Sequence, residues 1–238
     1  MIDRERLQAN ADAVRRRVAE ACRRAGRDPS SVTIVAVTKT VDAEVAEALI
    51  GLGMTDLGEN RAVEGAEKVA RVRGRATWHF IGHLQTNKAR RMLERFAVMH
   101  SVDRLDVAVE LEKRLAAVGR RLPSFVEVNI SGEASKGGQP AAGAPEFISR
   151  LRRDCPHLDV QGLMTMAPNV AAEETRPVFR GLRELSRSCG VAGLSMGMTN
   201  DFEVAIEEGS THVRIGSAFF GGMRGTETRN GAGPEGGK

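Results

Sequence analysis

Cysteines are few in this sequence, and their positions suit neither a metal site nor a disulfide framework. The three cysteines, Cys22, Cys155 and Cys189, are odd in number and far apart along the chain. Structural zinc sites and disulfide-rich folds need cysteines at short, regular spacings, so the sequence excludes both classes. A reduced, intracellular compartment fits this pattern best.

Long apolar runs are also lacking. No stretch approaches the ~20 consecutive apolar residues that a membrane-spanning helix needs. Met1 leads directly into a charged amphipathic segment. We therefore expect a soluble, cytoplasmic protein that has no membrane partner.

Neither sign of charge is in large excess. The chain has 35 basic and 31 acidic residues, a formal net charge of +4, and its arginines are scattered through helical segments. A surface that binds nucleic acid would require a basic stripe on one face. We therefore expect no nucleic-acid partner.

One pattern occurs eight times along the chain. Short β-branched or apolar runs alternate with segments of helical periodicity, and one further helix precedes the first run. The predicted strands are 32–38, 54–59, 77–82, 97–102, 124–130, 158–166, 191–198 and 211–217. Strict alternation predicts an α/β fold with a parallel sheet, and eight units in 238 residues favour a single (β/α)8 TIM barrel over an open doubly wound sheet. The open sheet is the alternative.

The barrel is expected to span residues 1–223, and two segments depart from the repeat. The loop 130–145 is too long and too rich in glycine for a plain connection, so it is either functional or mobile. The glycine-rich tail 224–238 has almost no apolar residues. We expect this tail to be disordered.

The first strand is followed by a lysine. In VTIVAVTKTV, residues 32–41, a β-branched run ends just before Lys39. Active sites of (β/α)8 barrels lie at the C-terminal ends of the strands, which is where Lys39 falls. It is either a solvated lysine that opens a loop or a Schiff-base lysine whose amine attacks an aldehyde. The other strand ends must decide between the two.

The last two strand ends favour a phosphate site. In LSMGMTNDFEVAIEEG and VRIGSAFFG, glycines and hydroxyl residues follow the predicted strands, and Asn200 with Glu203 predicts a capping box. Loops after strands seven and eight are the usual phosphate site of barrels. Either glycine cluster alone is more typical of a tight turn, but together they predict these phosphate contacts: Gly197, Thr199, Gly216 and Ser217.

The alternation of side chains along the last strand predicts that an arginine points into the barrel. Arg214 shares a strand face with His212 and Gly216, whereas Val213 and Ile215 share the face that should meet the helices. An interior arginine needs a salt bridge or a polar ligand. Further polar or soft side chains at strand ends are Glu59, Asn60, His79, Gly82, Ser101, Asn129 and Met164. For a lone histidine or methionine, a structural place in the core is the commoner role.

Seven motifs spread over nearly the whole chain carry a family resemblance: VAVTKT, LGENR, WHFIGHLQTNK, NISGEASKGG, GLMTM, LSMGMTNDFEVAIEEG and VRIGSAFFG. In this order they resemble the YggS/PROSC family of pyridoxal 5'-phosphate homeostasis proteins. The resemblance implies a fold-type III pyridoxal-phosphate barrel like the alanine racemase N-terminal domain. It implies that Lys39 holds the cofactor, pyridoxal 5'-phosphate, as an internal aldimine.

The resemblance also assigns roles to other residues. Thr199, Gly216 and Ser217 match the phosphate contacts, Arg214 matches the arginine near the pyridine nitrogen, and Asn60 lies close to the ring. Many relatives have serine where this chain has Thr199, which keeps the hydroxyl. The full set of cofactor-binding residues expected is Lys39, Asn60, His79, Met164, Gly197, Thr199, Arg214, Gly216 and Ser217.

Two classes of function remain open. The first is a carrier or buffer that binds pyridoxal phosphate and releases it to apo-enzymes without substrate turnover. The second is an enzyme, either a pyridoxal-phosphate-dependent amino-acid racemase or decarboxylase, or a cofactor-free Schiff-base aldolase. The chain has no tyrosine, whereas alanine racemases place a tyrosine base opposite the lysine and add an all-β domain. We therefore expect a non-catalytic carrier. We also expect a monomer, and no metal site.

Overall fold

The structure, a computed structural model, describes residues 2–133 and 136–222. The tail expected over 224–238 lies outside these residues. The strands of the described part are β1 (Thr33–Val37), β2 (Asp56–Glu59), β3 (Thr77–Phe80), β4 (Val98–Val102), β5 (Leu122–Asn129), β6 (Gln139–Pro140), β7 (Leu158–Met164), β8 (Gly193–Ser195) and β9 (His212–Ile215).

Eight of these strands close into a parallel barrel. Their order is β4-β3-β2-β1-β9-β8-β7-β5, and a pairing between β4 and β5 completes the circle. The predicted (β/α)8 barrel is therefore confirmed, and the open sheet is excluded. The helices of the described part are α1 (Arg4–Arg24), α2 (Ala43–Gly51), α3 (Ala62–Arg71), α4 (Ala89–Arg95), α5 (Leu105–Ala116), α6 (Ala144–Asp154), α7 (Arg176–Ser188), α8 (Phe202–Glu207) and α9 (Ser217–Phe220).

Alternation along each strand sends one set of side chains outward. Ala36, Leu57, Val213 and Ile215 are fully buried in the apolar layer between the strands and the helices. Burial of such a layer is the main favourable term in folding. The outward direction predicted for Val213 and Ile215 is confirmed.

The other face of the strands fills the barrel with rings. His79, His100, Phe125 and His212 lie in mutual contact there, with ring centroids 4.6 Å apart for His100 and Phe125 and 5.6 Å apart for His100 and His212. Three histidines in a closed interior require hydrogen-bond partners, since a buried polar group without one is costly. Those partners connect the barrel interior to the site described below.

The first helix contacts the last two helices of the described part. Arg17 of α1 forms a bidentate ion pair with Glu203 of α8, at 2.8 and 2.9 Å, and its guanidinium lies 4.5 Å from the ring centroid of Phe202. Asn10 of α1 donates to the carbonyl oxygen of Phe219 in α9 at 2.8 Å. The helix preceding the barrel therefore fixes the two short helices that follow β8 and β9.

Two local predictions at β8 are wrong. The strand expected over 191–198 is only Gly193–Ser195, because Gly197 has a φ of 92°, which a strand cannot continue. Asn200 does not cap α8, since that helix begins at Phe202 after Asp201. The Glu203 side chain expected in the capping box binds Arg17 instead.

The unusual loop 130–145 carries a short strand that the sequence did not suggest. Gln139 of β6 pairs with Val128 of β5. Asn129 secures the start of the loop, because its amide nitrogen donates to the carbonyl oxygen of Glu133 at 2.8 Å and its side-chain oxygen accepts from the backbone of Gly132 at 2.9 Å.

In the described part of the chain, no helix has both the length and the apolar character that a bilayer crossing requires.

We expect Gly162→Ala to destabilise the barrel strongly. A Cβ at Gly162 would lie 2.1 Å from the carbonyl oxygen of Gly193, and neither strand can move aside in a closed sheet. The free energy of unfolding in urea should fall by roughly 3 kcal/mol. Gly51→Ala is the control, since nothing lies within 4 Å of its added Cβ, and it should not destabilise. Equal stability of the two variants would contradict the expected clash.

Candidate functional site

A cavity of about 1050 Å³ opens at the C-terminal ends of the barrel strands. This is the end at which (β/α)8 barrels carry their active sites. Ligand sites typically occupy ~300–1,000 Å³, so this cavity lies at the upper limit. Six of the nine residues predicted for the site line it: Lys39, Asn60, Thr199, Arg214, Gly216 and Ser217.

A buried network fixes the backbone in front of Lys39. Lys68 Nζ donates to the carbonyl oxygen of Thr38 and to Glu59 Oε1, both at 2.7 Å. The Thr38 hydroxyl donates to the same Glu59 oxygen at 2.6 Å. Lys39 itself is exposed to the cavity. This role of Lys68 was not predicted, because a lysine on a helix is usually solvated.

Asn60 is held by the close approach of two loops. A Cβ at Gly82 would lie only 2.0 Å from the carbonyl oxygen of Asn60. The Ser101 hydroxyl donates to the carbonyl oxygen of Gly82. Only glycine fits at position 82, and the contact keeps Asn60 at the cavity wall.

The two loops predicted to bind phosphate meet at the cavity. The backbone N–H of Gly216, after β9, donates to the Thr199 hydroxyl, after β8, at 3.3 Å. Ser217 follows at the start of α9, and all three residues line the cavity. Gly197 does not line it. A Cβ there would lie 2.5 Å from the Cβ of Ala205, so Gly197 serves the packing of the loop on α8.

Arg214 lies at the inner wall of the cavity, as parity predicted. Its side chain is 5 % exposed, Nη1 donates to Ser195 Oγ at 2.7 Å, and Nη2 donates to the carbonyl oxygen of Thr165 at 3.0 Å. Burial lowers the pKa of this guanidinium to about 10, against the opposing effect of the Glu127 and Asp201 carboxylates. The group therefore remains a cation and a hydrogen-bond donor at neutral pH.

A chain of hydrogen bonds runs from Arg214 through the barrel. Ser195 Oγ lies 2.7 Å from His100 Nδ1, His100 Nε2 lies 2.8 Å from His79 Nδ1, and His79 Nε2 lies 3.0 Å from Asp56 Oδ1. The Asp56 carboxylate accepts from His79 Nε2, so a neutral His79 accepts from His100 at Nδ1. His100 then accepts the Ser195 proton at its own Nδ1.

The direction of this chain is therefore the same at every link. Each group donates its hydrogen bond to the next group further from the cavity, and the Ser195 oxygen accepts from Arg214. Burial, to which the nearby positive charge of Arg214 adds, lowers the pKa of His100 well below its ordinary value. A neutral His100 is what the chain requires.

Two further predicted residues lie in the barrel interior instead of the cavity lining. His79 is 2 % exposed and belongs to the hydrogen-bond chain, and Met164 is 1 % exposed. Both have the structural place that is commoner for a lone histidine or methionine. Parity places these side chains inside the barrel but does not give their distance from its open end.

One further part of the cavity lining was not predicted. It contains the carboxyl group of Glu127 on β5 together with His83 and Gly137. Three exposed apolar side chains also line the cavity: Met166, Val170 and Met198, the last in the loop of Thr199. Burial and the charge of Asp103 raise the pKa of Glu127 to about 7. Motif reading missed Glu127 because it lies within a strand, between valines.

The chain was compared with known families and structures. Residues 2–224 match the family model of the alanine racemase N-terminal domain. A pyridoxal phosphate homeostasis protein of Pseudomonas aeruginosa is 41% identical over 220 residues, covering 90% of this chain and 95% of the relative. One from Aquifex aeolicus is 40% identical over 213 residues, covering 86% and 93%. PipY of Synechococcus elongatus, solved with PLP bound, superposes with a TM-score of 0.76 at 30% identity, covering 86% of this chain and 100% of PipY.

The histidine cluster predicts a loss of stability in acid. Burial lowers the pKa of His212 from its ordinary value of 6.5 to about 4. The unfolded chain therefore takes up a proton that the folded chain does not, and stability falls as the pH drops from 6.5 towards 4, by at most about 3 kcal/mol for this residue.

Urea unfolding of the protein and of His212→Gln at pH 7.5 and pH 4.5 measures this effect. The variant should lose less stability than the unmodified protein. Glu127, whose raised pKa acts with the opposite sign, is common to both chains, so its contribution cancels in the difference. Equal losses in the two proteins would exclude His212 as a source of the acid sensitivity.

Proposed function

The chain belongs to the alanine racemase N-terminal domain family and, within it, to the pyridoxal phosphate homeostasis proteins, and we propose that it binds pyridoxal 5'-phosphate as a carrier or buffer of this cofactor. The observation that carries the proposal is the convergence of Lys39, Arg214, Gly216 and Thr199 on one cavity. These residues offer an amine, a cationic donor, a backbone N–H and a hydroxyl.

This donor set suits the groups of the proposed cofactor. When bound, pyridoxal phosphate supplies an aldehyde that forms a Schiff base with a lysine amine. Lys39 would provide that amine, at the end of a strand that Lys68 and Glu59 hold in place. Thr199 and Gly216 would bind the phosphate dianion, since their loops already meet at 3.3 Å. Ser217 would add a second hydroxyl.

The lack of substrate turnover is part of the proposal, and Arg214 supports it. Pyridoxal phosphate stabilises carbanions best when an acidic partner keeps its ring nitrogen protonated. The guanidinium of Arg214 can only donate, and Ser195 and Thr165 fix its direction. The chain also lacks the tyrosine that a racemase uses as its second base.

The recipients of the cofactor belong to the same proposal. We assign them to the class of pyridoxal-phosphate-dependent apo-enzymes, because a carrier needs proteins that consume what it holds. A cytoplasmic location is proposed on the ground that Cys22, Cys155 and Cys189 are all free and buried. An amino-acid racemase-like activity is the competing function.

Lys39→Ala tests the covalent attachment. The protein loaded with pyridoxal phosphate should show a visible absorption band from the Schiff base, and the variant should lose that band while keeping its melting temperature, because an exposed lysine adds little to the core. Borohydride reduction followed by peptide mapping should place the cofactor on Lys39. Lys88→Ala is the control and should keep the band. A reduced adduct on a different lysine would remove Lys39 from its proposed role.

Exchange of the amino-acid α-proton distinguishes the carrier from the enzyme. We expect negligible exchange of alanine in deuterated water with the loaded protein, because no tyrosine base is present and Arg214 withholds the proton from the ring. The same preparation should restore activity to an apo-enzyme that depends on pyridoxal phosphate. Rapid exchange that Lys39→Ala abolishes would favour the racemase.

A further inference from the structure

Glu127 is a nearly buried residue whose carboxyl group opens into the cavity and has no hydrogen-bond partner among the described residues. Its side chain is 6 % exposed and lines the cavity. No described residue donates a hydrogen bond to it, and no salt bridge within the described residues joins it to Arg214 or to any other cation. Buried carboxyl groups are ordinarily paired, because taking a charge out of water is expensive. An unpaired one directed into a cavity points to a ligand.

The charges around Glu127 favour a cation as that ligand. Asp103, which follows β4, adds a second carboxylate: Glu127 Oε1 and Asp103 Oδ2 lie within 3.7 and 3.8 Å of the same point, the Cβ position of Gly137. His83 does not cancel this charge. Arg104 donates to His83 Nε2 at 3.0 Å, so His83 is neutral, with its Nδ1–H directed at Asp103 at 3.4 Å.

Two cations lie nearby, and within the described residues neither forms a salt bridge with Glu127. Lys136, in the loop after β5, pairs with Glu133 at 2.7 Å. Arg214 donates to the neutral groups of Ser195 and Thr165, and its charge lowers the pKa of Glu127 against the larger effects of burial and Asp103. The wall at Glu127 is therefore acidic, whereas Lys39 and Arg214 make other parts of the cavity basic.

We propose that Glu127, supported by Asp103, forms a subsite for the primary ammonium group of a second ligand that enters the cavity beside the phosphate site. A compact ammonium ion offers three donors to a carboxylate that receives none from the described part of the chain. The exposed, apolar side chains of Met166, Val170 and Met198 also line the cavity, which suits an alkyl stem behind the ammonium group. Among residues 2–133 and 136–222 no cluster of side chains is arranged to hold a metal ion.

This inference rests on the proposed function, because the carrier role explains why an amine would enter the cavity. A recipient would take over the cofactor by replacing the Lys39 amine with its own amine, which must first lose a proton, and Lys39 would be released as a free amine. Glu127 can accept that proton, giving a neutral carboxyl group and a neutral amine. The ammonium group could belong to a free amino acid or to a lysine side chain of a recipient protein.

The test measures binding in the absence of the cofactor. The full chain, freed of pyridoxal phosphate and saturated with inorganic phosphate, is titrated with n-butylamine and with n-butanol by ligand-observed NMR at pH 6 and pH 8. The ionised fraction of an acid with a pKa of about 7 rises about tenfold over this interval, so butylamine affinity should rise by about that factor. Butanol, which has the same stem and no charge, should show no rise.

Glu127→Gln keeps the size of the side chain and removes its charge. At pH 8 it should weaken butylamine binding by about tenfold and abolish the pH dependence. Glu184→Gln, on the exposed surface of α7, is the matched control and should change neither. Unchanged butylamine affinity in Glu127→Gln, or equal binding of butanol and butylamine at pH 8, would overturn the subsite.

Two further probes separate the sources of the amine. Nα-acetyl-lysine amide that binds better than L-alanine assigns the subsite to a lysine of a recipient protein, and the opposite order assigns it to a free amino acid. The result is independent of the visible band at Lys39. If the protein shows the visible band but does not bind butylamine, the subsite alone is refuted. If it binds butylamine but shows no visible band, the proposed cofactor role alone is refuted.

Discussion

The buried guanidinium of Arg214 is the constraint on which the rest of the site depends. A cation that is 5 % exposed must be satisfied on every side or it destabilises the fold. Ser195 and Thr165 satisfy one side from β8 and from the end of β7. Ser195 can accept a hydrogen bond from Arg214 because its own hydroxyl donates to His100. Asp56, at the other end of this series of hydrogen bonds, sets that direction because a carboxylate can only accept.

The interior histidines therefore belong to the electrostatics of the site, although they do not touch the cavity. Replacing them by apolar residues would fill the barrel equally well, but Ser195 would lose the acceptor for its proton. The hydroxyl could then rotate and compete with Arg214 for the same acceptors. A neutral, ordered histidine pair costs less to bury than a charged one, and it transmits orientation without carrying charge.

Much of the architecture could be predicted from local patterns. Period-two and period-3.6 apolar spacing gave the eight strands and the barrel, and parity alone placed Arg214 inside it. Lys39, Thr199 and Gly216 were predictable because chain position at a strand end determines position at the cavity. These signals are local in sequence, and the fold converts them directly into geometry.

The features that sequence reading missed depend on pairings between distant parts of the chain. Lys68 resembles any helical lysine until β1 and β2 bring Thr38 and Glu59 beneath it. The predicted capping box at Asn200 does not form, and the Glu203 side chain is instead bound by Arg17, which is far away in the sequence. No sequence motif marks Glu127, because what distinguishes it is the lack of a partner among the described residues, and that lack is visible only in the structure.

Cofactor retention and cofactor release make opposite demands on a carrier, and the cavity separates them in space. The retaining groups, Lys39 and the loops of Thr199 and Gly216, lie at the ends of β1, β8 and β9, which pair with one another. Glu127 lies on β5, and in the order of the barrel β7 and β8 stand between it and β9 on one side. The group proposed to receive an amine and the groups proposed to retain the cofactor therefore lie on different strands that open into one cavity. Transfer requires the incoming amine and the retained cofactor to be present together, and an amine held at Glu127, as we propose, would share this cavity with the group held at Lys39.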